Sequence, residues 1–208
     1  MKTSRKLLGT LLPLGLLLGA CIPTVGGGGP VMPTRYFLLG KETQTLASLE
    51  SATTSLTPLT VNPVVIPPYL NRPEIVTRDG YNEITLSEYH QWGGSLSDNL
   101  SRVLEENLSQ LLPGHRLGNG LTPVVDLSGL TLVVRILRFE RGVERQVNLT
   151  ASWRILGDDD GRIKASGHFS KESAAVGYGD YVAVVAAMND NLTALSQEIA
   201  QAIVALDH

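Results

Sequence analysis

Two stretches of the chain repeat apolar residues at steps of three and four, and a third alternates apolar with polar one by one. Leu96, Leu100, Val103, Leu104, Leu108, Leu111 and Leu112 share one face of a helix predicted from Leu96 to Leu112. Ser95 is its natural N-cap, Asp98 stands where a capping box places its acid, and Pro113-Gly114 stops it. Ser97, Arg102, Glu105, Glu106 and Ser109 fall on the water side. A second helix is predicted from Tyr181 to Leu206, capped by Asp180, with Tyr181, Val185, Met188, Leu192, Leu195, Ile199, Ala202 and Leu206 on one stripe. Between them Val147, Leu149, Ala151, Trp153 and Ile155 alternate with Asn148, Thr150, Ser152 and Arg154, the pattern of a half-buried strand.

Shorter signals complete a sheet. Leu130 to Arg138 is mostly apolar and reads as a central strand. Asp158-Asp159-Asp160-Gly161 turns the alternating strand into another carrying Ile163, Ala165, Gly167 and Phe169, so three strands form an antiparallel meander. Glu74 to Arg78 and Glu83 to Leu86 flank Asp79-Gly80-Tyr81-Asn82, whose Asp-Gly step favours positive φ and a hairpin. Arg35 to Leu39 reads as a strand ended by Gly40, and residues 41–59 as a Ser/Thr-rich surface loop. Val61 to Ile66 reads as a strand that Pro63 makes late-starting or peripheral. Tyr89 to Gly94 leads into the first helix. The expected fold is a single α/β (α+β) domain, a mixed and largely antiparallel sheet packed by two main amphipathic helices.

The N-terminus carries a different signal. Lys2, Arg5 and Lys6 precede an apolar run from Leu7 to Leu18, which is too short to span a bilayer as a helix. Leu18-Gly19-Ala20-Cys21 follows, and Cys21 is the chain's single cysteine. A leucine three positions before a cysteine, with two small residues between, resembles the bacterial lipobox, in which the cysteine is acylated and becomes the mature N-terminus. Residues 1–20 are then a signal peptide, 21–33 the lipidated cysteine with a Gly/Pro-rich tether, and 34–208 the folded domain. Ile22 rather than Asp follows the cysteine, which in enteric lipoproteins permits onward export to the outer membrane.

Composition narrows the classes. Net charge is −3 and the signal removes only cations, so the mature chain is acidic and lacks the basic face that nucleic acid requires. Hydrophobic content of 43% is enough for a core. His90, His115, His168 and His208 show no metal-ligand spacing, and no Gly-x-Ser-x-Gly elbow is present. Counted from Asp158, the twelfth position of a calcium loop is Phe169, so the acidic turn reads as a solvated hairpin. The glycine run at 26–29 lacks the Lys-Ser/Thr of a phosphate loop. The chain is expected not to be an enzyme and to need no cofactor beyond the lipid on Cys21.

One further segment stands out. Pro67-Pro68-Tyr69-Leu70-Asn71-Arg72-Pro73 is held extended and stiff by its prolines. It is expected to expose an aromatic, a leucine and an arginine, the residue types of partner surfaces, or else to cover a sheet edge. Trp92 is either a plug at the helix entry or an exposed anchor.

Tyr36-Phe37-Leu38-Leu39, and Val65-Ile66 continuing through the proline segment to Glu74-Ile75-Val76-Thr77-Arg78, resemble the PqiC-type ABC-type transport auxiliary lipoproteins. Trp92, Arg138-Phe139-Glu140, Ala151-Ser152-Trp153, Tyr181 through Met188 and Leu195-Ser196-Gln197-Glu198-Ile199-Ala200 agree with that pattern. Residues 113–128 and the glycine run carry none of it. The resemblance implies a periplasm-facing lipoprotein subunit of an MCE/ABC-type intermembrane lipid transport system, docking it to the outer membrane. Its implied partners are an MCE-domain protein and the membrane, with phospholipid as cargo, no nucleic acid and no reaction of its own. Several copies around a tube end would bind by avidity, which suits a homo-oligomer. Tyr69, Leu70, Arg72, Pro73 and Trp92 are the expected partner contacts. Two other roles fit the same residues: an envelope assembly scaffold, or a lipid chaperone with an apolar pocket of its own.

Overall fold

In a computed structural model, residues 32–40, 46–49, 57–119 and 129–207 are described. The signal peptide, Cys21 and the tether up to residue 31 lie outside them. In chain order the elements are β1 (Arg35–Phe37), β2 (Thr57–Val61), β3 (Glu74–Gly80), β4 (Glu83–Trp92), α1 (Leu96–Leu111), β5 (His115–Asn119), β6 (Leu130–Arg141), β7 (Gln146–Gly157), β8 (Ile163–Ala175) and α2 (Tyr181–Val204). No helix among the described residues is long and apolar enough to cross a membrane.

The strands form one eight-stranded mixed sheet, ordered β1-β4-β3-β6-β2-β5, with β7 on the other edge of β6 and β8 beyond it. The long ladders, β6 with β7 and β7 with β8, are antiparallel, as is β3 with β4. The pairs β1–β4, β2–β5, β2–β6 and β3–β6 are parallel. The central position of β6 and the meander agree with the sequence pattern. Along one edge β6 receives β2 at Leu130–Leu132, then a single bridge from Val65 to Arg135, then β3 at Arg141.

Helix α1 buries its predicted stripe; α2 buries Val185 to Ile199 of its own, but ends at Val204, so Leu206 lies beyond it and is exposed, and Tyr181 and Ala202 are half-buried. Ser95 Oγ accepts the Asp98 backbone N–H, and Asp180 accepts that of Ala183. The α1 leucines are fully buried. Ser97 does not simply face water: its hydroxyl donates to Val64 O at 2.6 Å, and Ser101 Oγ accepts the Val64 N–H at 2.9 Å. On α2, Glu198 Oε1 accepts the Trp153 indole N–H at 2.9 Å and Asn191 donates to Val147 O at 2.9 Å. Helix α2 therefore covers the face of β7 that carries Val147, Leu149, Ala151, Trp153 and Ile155, and α1 packs beside it. Asn107 donates to Ser196 Oγ at 3.0 Å between the helices. These bonds pair the buried groups as burial demands, except that Asn191 Oδ1 has no partner among the described residues.

Several boundaries differ from the sequence reading. The second strand is Thr57–Val61, not Val61 to Ile66, and it lies between β6 and β5 rather than at an edge. Pro58 is tolerated because pairing with β6 starts only at Leu59, and Pro63 falls after the strand has ended. The hairpin is present, but its turn is Tyr81-Asn82; Gly80 pairs with Glu83 and does not take positive φ. Strand β4 continues through Tyr89 to Trp92 instead of breaking before the helix. His115–Asn119 forms a short strand in a region that gave no signal.

A bulge on β6 resets the facing of its last residues. Ile136 pairs with Ala151 and Arg138 with Thr150, so Leu137 is extra and 43% exposed. Past this point Phe139, opposite Leu149, returns to the helix-covered face, and Glu140 turns to the other side.

Gly167 pairs with Trp153, and a Cβ there would lie 2.5 Å from the indole Cζ2. Gly167→Ala is expected to cost about 1–3 kcal/mol by overpacking. Ala at Gly177, where a Cβ meets nothing nearer than Asp180 Cβ at 3.5 Å, should stay within about 0.5 kcal/mol. Urea denaturation measures both; equal stabilities would remove the indole as the reason for glycine.

Candidate functional site

The proline segment forms a strap between β2 and β3. Proline offers only a carbonyl, and the strap uses it: Pro67 O accepts the Leu70 N–H at 3.0 Å and Pro68 O that of Asn71 at 3.2 Å. At the far end Trp92 N–H donates to Pro73 O at 2.7 Å, stitching the strap to the end of β4. These turns push Leu70 inward, where it is 1% exposed, and leave Pro68, Asn71 and Pro73 at the surface.

The five expected contact residues therefore divide. Leu70 is core, which corrects the expectation that the segment exposes it. Trp92 is 4% exposed and plugs the entry to α1, so it is not a protruding anchor. Arg72, Pro73 and Trp92 come together with Asn71, Gly94, Ser95 and Leu96 around a cleft of about 260 Å³. Arg72 Nε lies 3.3 Å from Glu74 Oε2 at its rim. Tyr69 points away from this cleft.

Tyr69 instead reaches Glu140. The Glu140 side chain is 0% exposed, although it lies on the sheet face opposite the helices. Its Oε2 accepts the Tyr69 hydroxyl at 3.0 Å and the Phe139 backbone N–H at 2.9 Å. Its Oε1 accepts Arg78 Nε at 3.2 Å and Arg138 Nε at 3.0 Å. Four donors compensate the burial of one carboxylate. Burial, followed by the charge and hydrogen bond of Glu140, pushes the Tyr69 phenol up to about 12. It stays a neutral donor at physiological pH. Beside the cluster a second cleft, about 400 Å³, is bounded by Arg78, Arg138, Tyr81, Asn148 and Glu172. In the sequence Glu140 is only one scattered carboxylate among several; an acid at the end of an otherwise apolar strand is the signal that could have singled it out.

The remaining candidates are spent on structure. Asp160 accepts the Arg162 N–H at 2.9 Å and Lys164 Nζ at 3.0 Å, and these bonds hold its carboxyl below the usual range. Asp158 accepts the Thr131 hydroxyl at 2.6 Å. The acidic turn is thus closed on its own hairpin through Asp160 and on β6 through Asp158. His90 stacks on Tyr181 with ring centroids 4.0 Å apart and shares a 2.8 Å hydrogen bond with Ser87. Burial and the Arg35 charge lower its pKa, which keeps it neutral.

Glu140→Ala is expected to cost about 1–3 kcal/mol, because it leaves the Tyr69 hydroxyl and two partly exposed guanidiniums without their shared acceptor. Tyr69→Phe should cost about 1.5–3 kcal/mol, and the double variant less than the sum. Because the folded phenol titrates near 12 rather than 10.0, stability should fall as pH climbs between those values, and Tyr69→Phe should remove that component. Denaturation across pH tests this; strictly additive losses would show the Tyr69–Glu140 bond to be idle.

No curated protein matches the chain's sequence. Among solved structures, a crystal structure described as an uncharacterized protein has a TM-score of 0.61 at 22% identity, covering 76% of this chain and 98% of that one. A Xanthomonas campestris protein also has a TM-score of 0.61, at 18% identity, covering 78% of this chain and 94% of its own. At such identities the likeness shows a shared fold. The family model described as ABC-type transport auxiliary lipoprotein component matches residues 37–200, from the end of β1 through most of α2. That span includes the strap, Arg78, Glu140 and both helices, and the chain belongs to the ABC-type transport auxiliary lipoprotein family.

Proposed function

We propose that this lipoprotein is the periplasm-facing subunit of an MCE/ABC-type intermembrane lipid transport system and docks the transporter to the outer membrane. The family match over residues 37–200 carries the reading. The family is one of membrane-anchored envelope proteins auxiliary to transport, and it brings no reaction with it. In this reading Cys21 bears the acyl chains, and Ile22 after it favours the outer membrane. The partner is an MCE-domain protein and the cargo phospholipid.

The docking surface we assign is the cleft of Arg72, Pro73 and Trp92 with the exposed strap residues Pro68 and Asn71. A strap tied at both ends loses little conformational entropy on binding, and an apolar floor with the Arg72–Glu74 ion pair at its rim suits an interface. Anchoring partner and strap in one compartment raises their effective concentration, so a modest interface suffices, and several copies would add avidity. The chaperone alternative gains less support, because the clefts among the described residues are open and rimmed by charged and polar groups.

The test is a mild-detergent pull-down of the full-length lipoprotein from its native envelope, with mass spectrometry of proteins and lipids. The expected result is an MCE-domain protein, with recovery reduced about tenfold, the equivalent of about 1.4 kcal/mol, by Arg72→Glu combined with Pro73→Ser. Cys21→Ser should release the chain from the membrane fraction. Wild-type recovery by the folded double variant would remove the cleft as the docking surface. Capture of an outer-membrane assembly machine instead would make the protein a scaffold.

A further inference from the structure

The chain is poor in aromatic residues, at 5%, and three of them, Tyr36, Phe37 and Tyr181, lie along one edge of the sheet. Strand β1 is the terminal strand, paired only with β4. On it Tyr36 is 67% exposed and Leu38, just past its end, 58%. On its other side Phe37 lies 5.9 Å from His90, and His90 stacks on Tyr181 in the first turn of α2. Val182 beside it is 55% exposed. Arg35 is exposed and sits 5.3 Å over the Phe37 ring. An exposed tyrosine, exposed aliphatics and a cation, backed by the half-buried Phe37 and Tyr181, therefore share the edge formed by β1 and the start of α2.

From this juxtaposition we infer that the β1–α2 edge rests on a phospholipid bilayer surface, an inference that depends in turn on the assignment of acylation to Cys21. Two arguments select a membrane over a protein. The first is chain length. The fourteen residues from Ile22 to Arg35 span at most about 50 Å even fully extended, and β1 is the first strand they reach. Among the described residues no other strand is covalently so close to the anchor. The second is residue chemistry. Tyrosine favours the headgroup level, where its ring is sheltered and its hydroxyl wet, and an arginine there meets phosphate while its stem lies along apolar surface. Leu38 and Val182 supply apolar area that water otherwise covers. The tether then sets a reach limit while the edge fixes which side of the domain faces lipid, leaving the strap free for a partner.

The experiment uses the full-length lipidated chain in phosphatidylethanolamine/phosphatidylglycerol vesicles. An environment-sensitive fluorophore is placed by Tyr36→Cys, Val182→Cys or, as a control on β8, Ile163→Cys, one at a time. The acyl group occupies Cys21, so each variant offers one reactive thiol. The expected result is a blue shift, with quenching by nitroxide-labelled lipid, at 36 and 182 and neither at 163. Unshifted, unquenched labels at 36 and 182 in a lipidated chain overturn the inference. So does a shift that grows with protein concentration in detergent without vesicles, since a second copy would then cover the edge. The mass of the mature N-terminus reports acylation separately, so a missing anchor and an idle edge are told apart.

Discussion

A single buried carboxylate organises the centre of this protein. Glu140 is fully removed from water on the sheet face that has no helix over it, and an ion in that position needs its own cover. The cover is drawn from three places in the chain: Tyr69 in the strap, Arg78 on β3 and Arg138 on β6 itself. The strap cannot lift without stripping Glu140 of the Tyr69 hydroxyl, and β3 cannot shift along β6 without moving Arg78. One electrostatic requirement thus fixes the position of the segment that lies over the sheet.

The same arrangement separates support from surface within a short sequence. Tyr69 and Leu70 point inward, one to an anion and the other to the core, while Pro68, Asn71 and Pro73 remain outside. Residues that look alike as interface candidates do different work at adjacent positions. The inward pair holds the outward ones still, and rigid presentation is what a docking surface gains from a packed scaffold.

The parts legible in the sequence were those with a long, unbroken period. The α1 and α2 stripes and the alternation of β7 each repeat often enough to fix both element and face. The meander followed from the turn at Asp158–Gly161. Where the period was interrupted, the reading failed for identifiable reasons. Thr57-Pro58 lies in a polar stretch with a proline inside the strand, and His115–Asn119 mixes charge, glycine and one leucine. The burial of Leu70 depends on backbone turns that bring it under the strap. Glu140 was hidden by the bulge at Leu137: without the extra residue its parity would place it among the core side chains, so its partners could not be found by counting along the strand.

The way β6 gathers β2, Val65 and β3 along one edge also orders assembly in time. Those pieces lie roughly seventy residues upstream of their partner, and their parallel pairing with β6 cannot begin until β6 exists. The segment from β6 to α2, by contrast, contains the local meander and a helix to cover it. A chain that emerges N-terminus first must therefore hold β2 and β5 on one side and the strap with β1 and the β3–β4 hairpin on the other, without the central strand that joins them. For a protein with this connectivity the vulnerable interval is the wait for residues 130–141, when premature strand pairing with a neighbouring chain competes with folding.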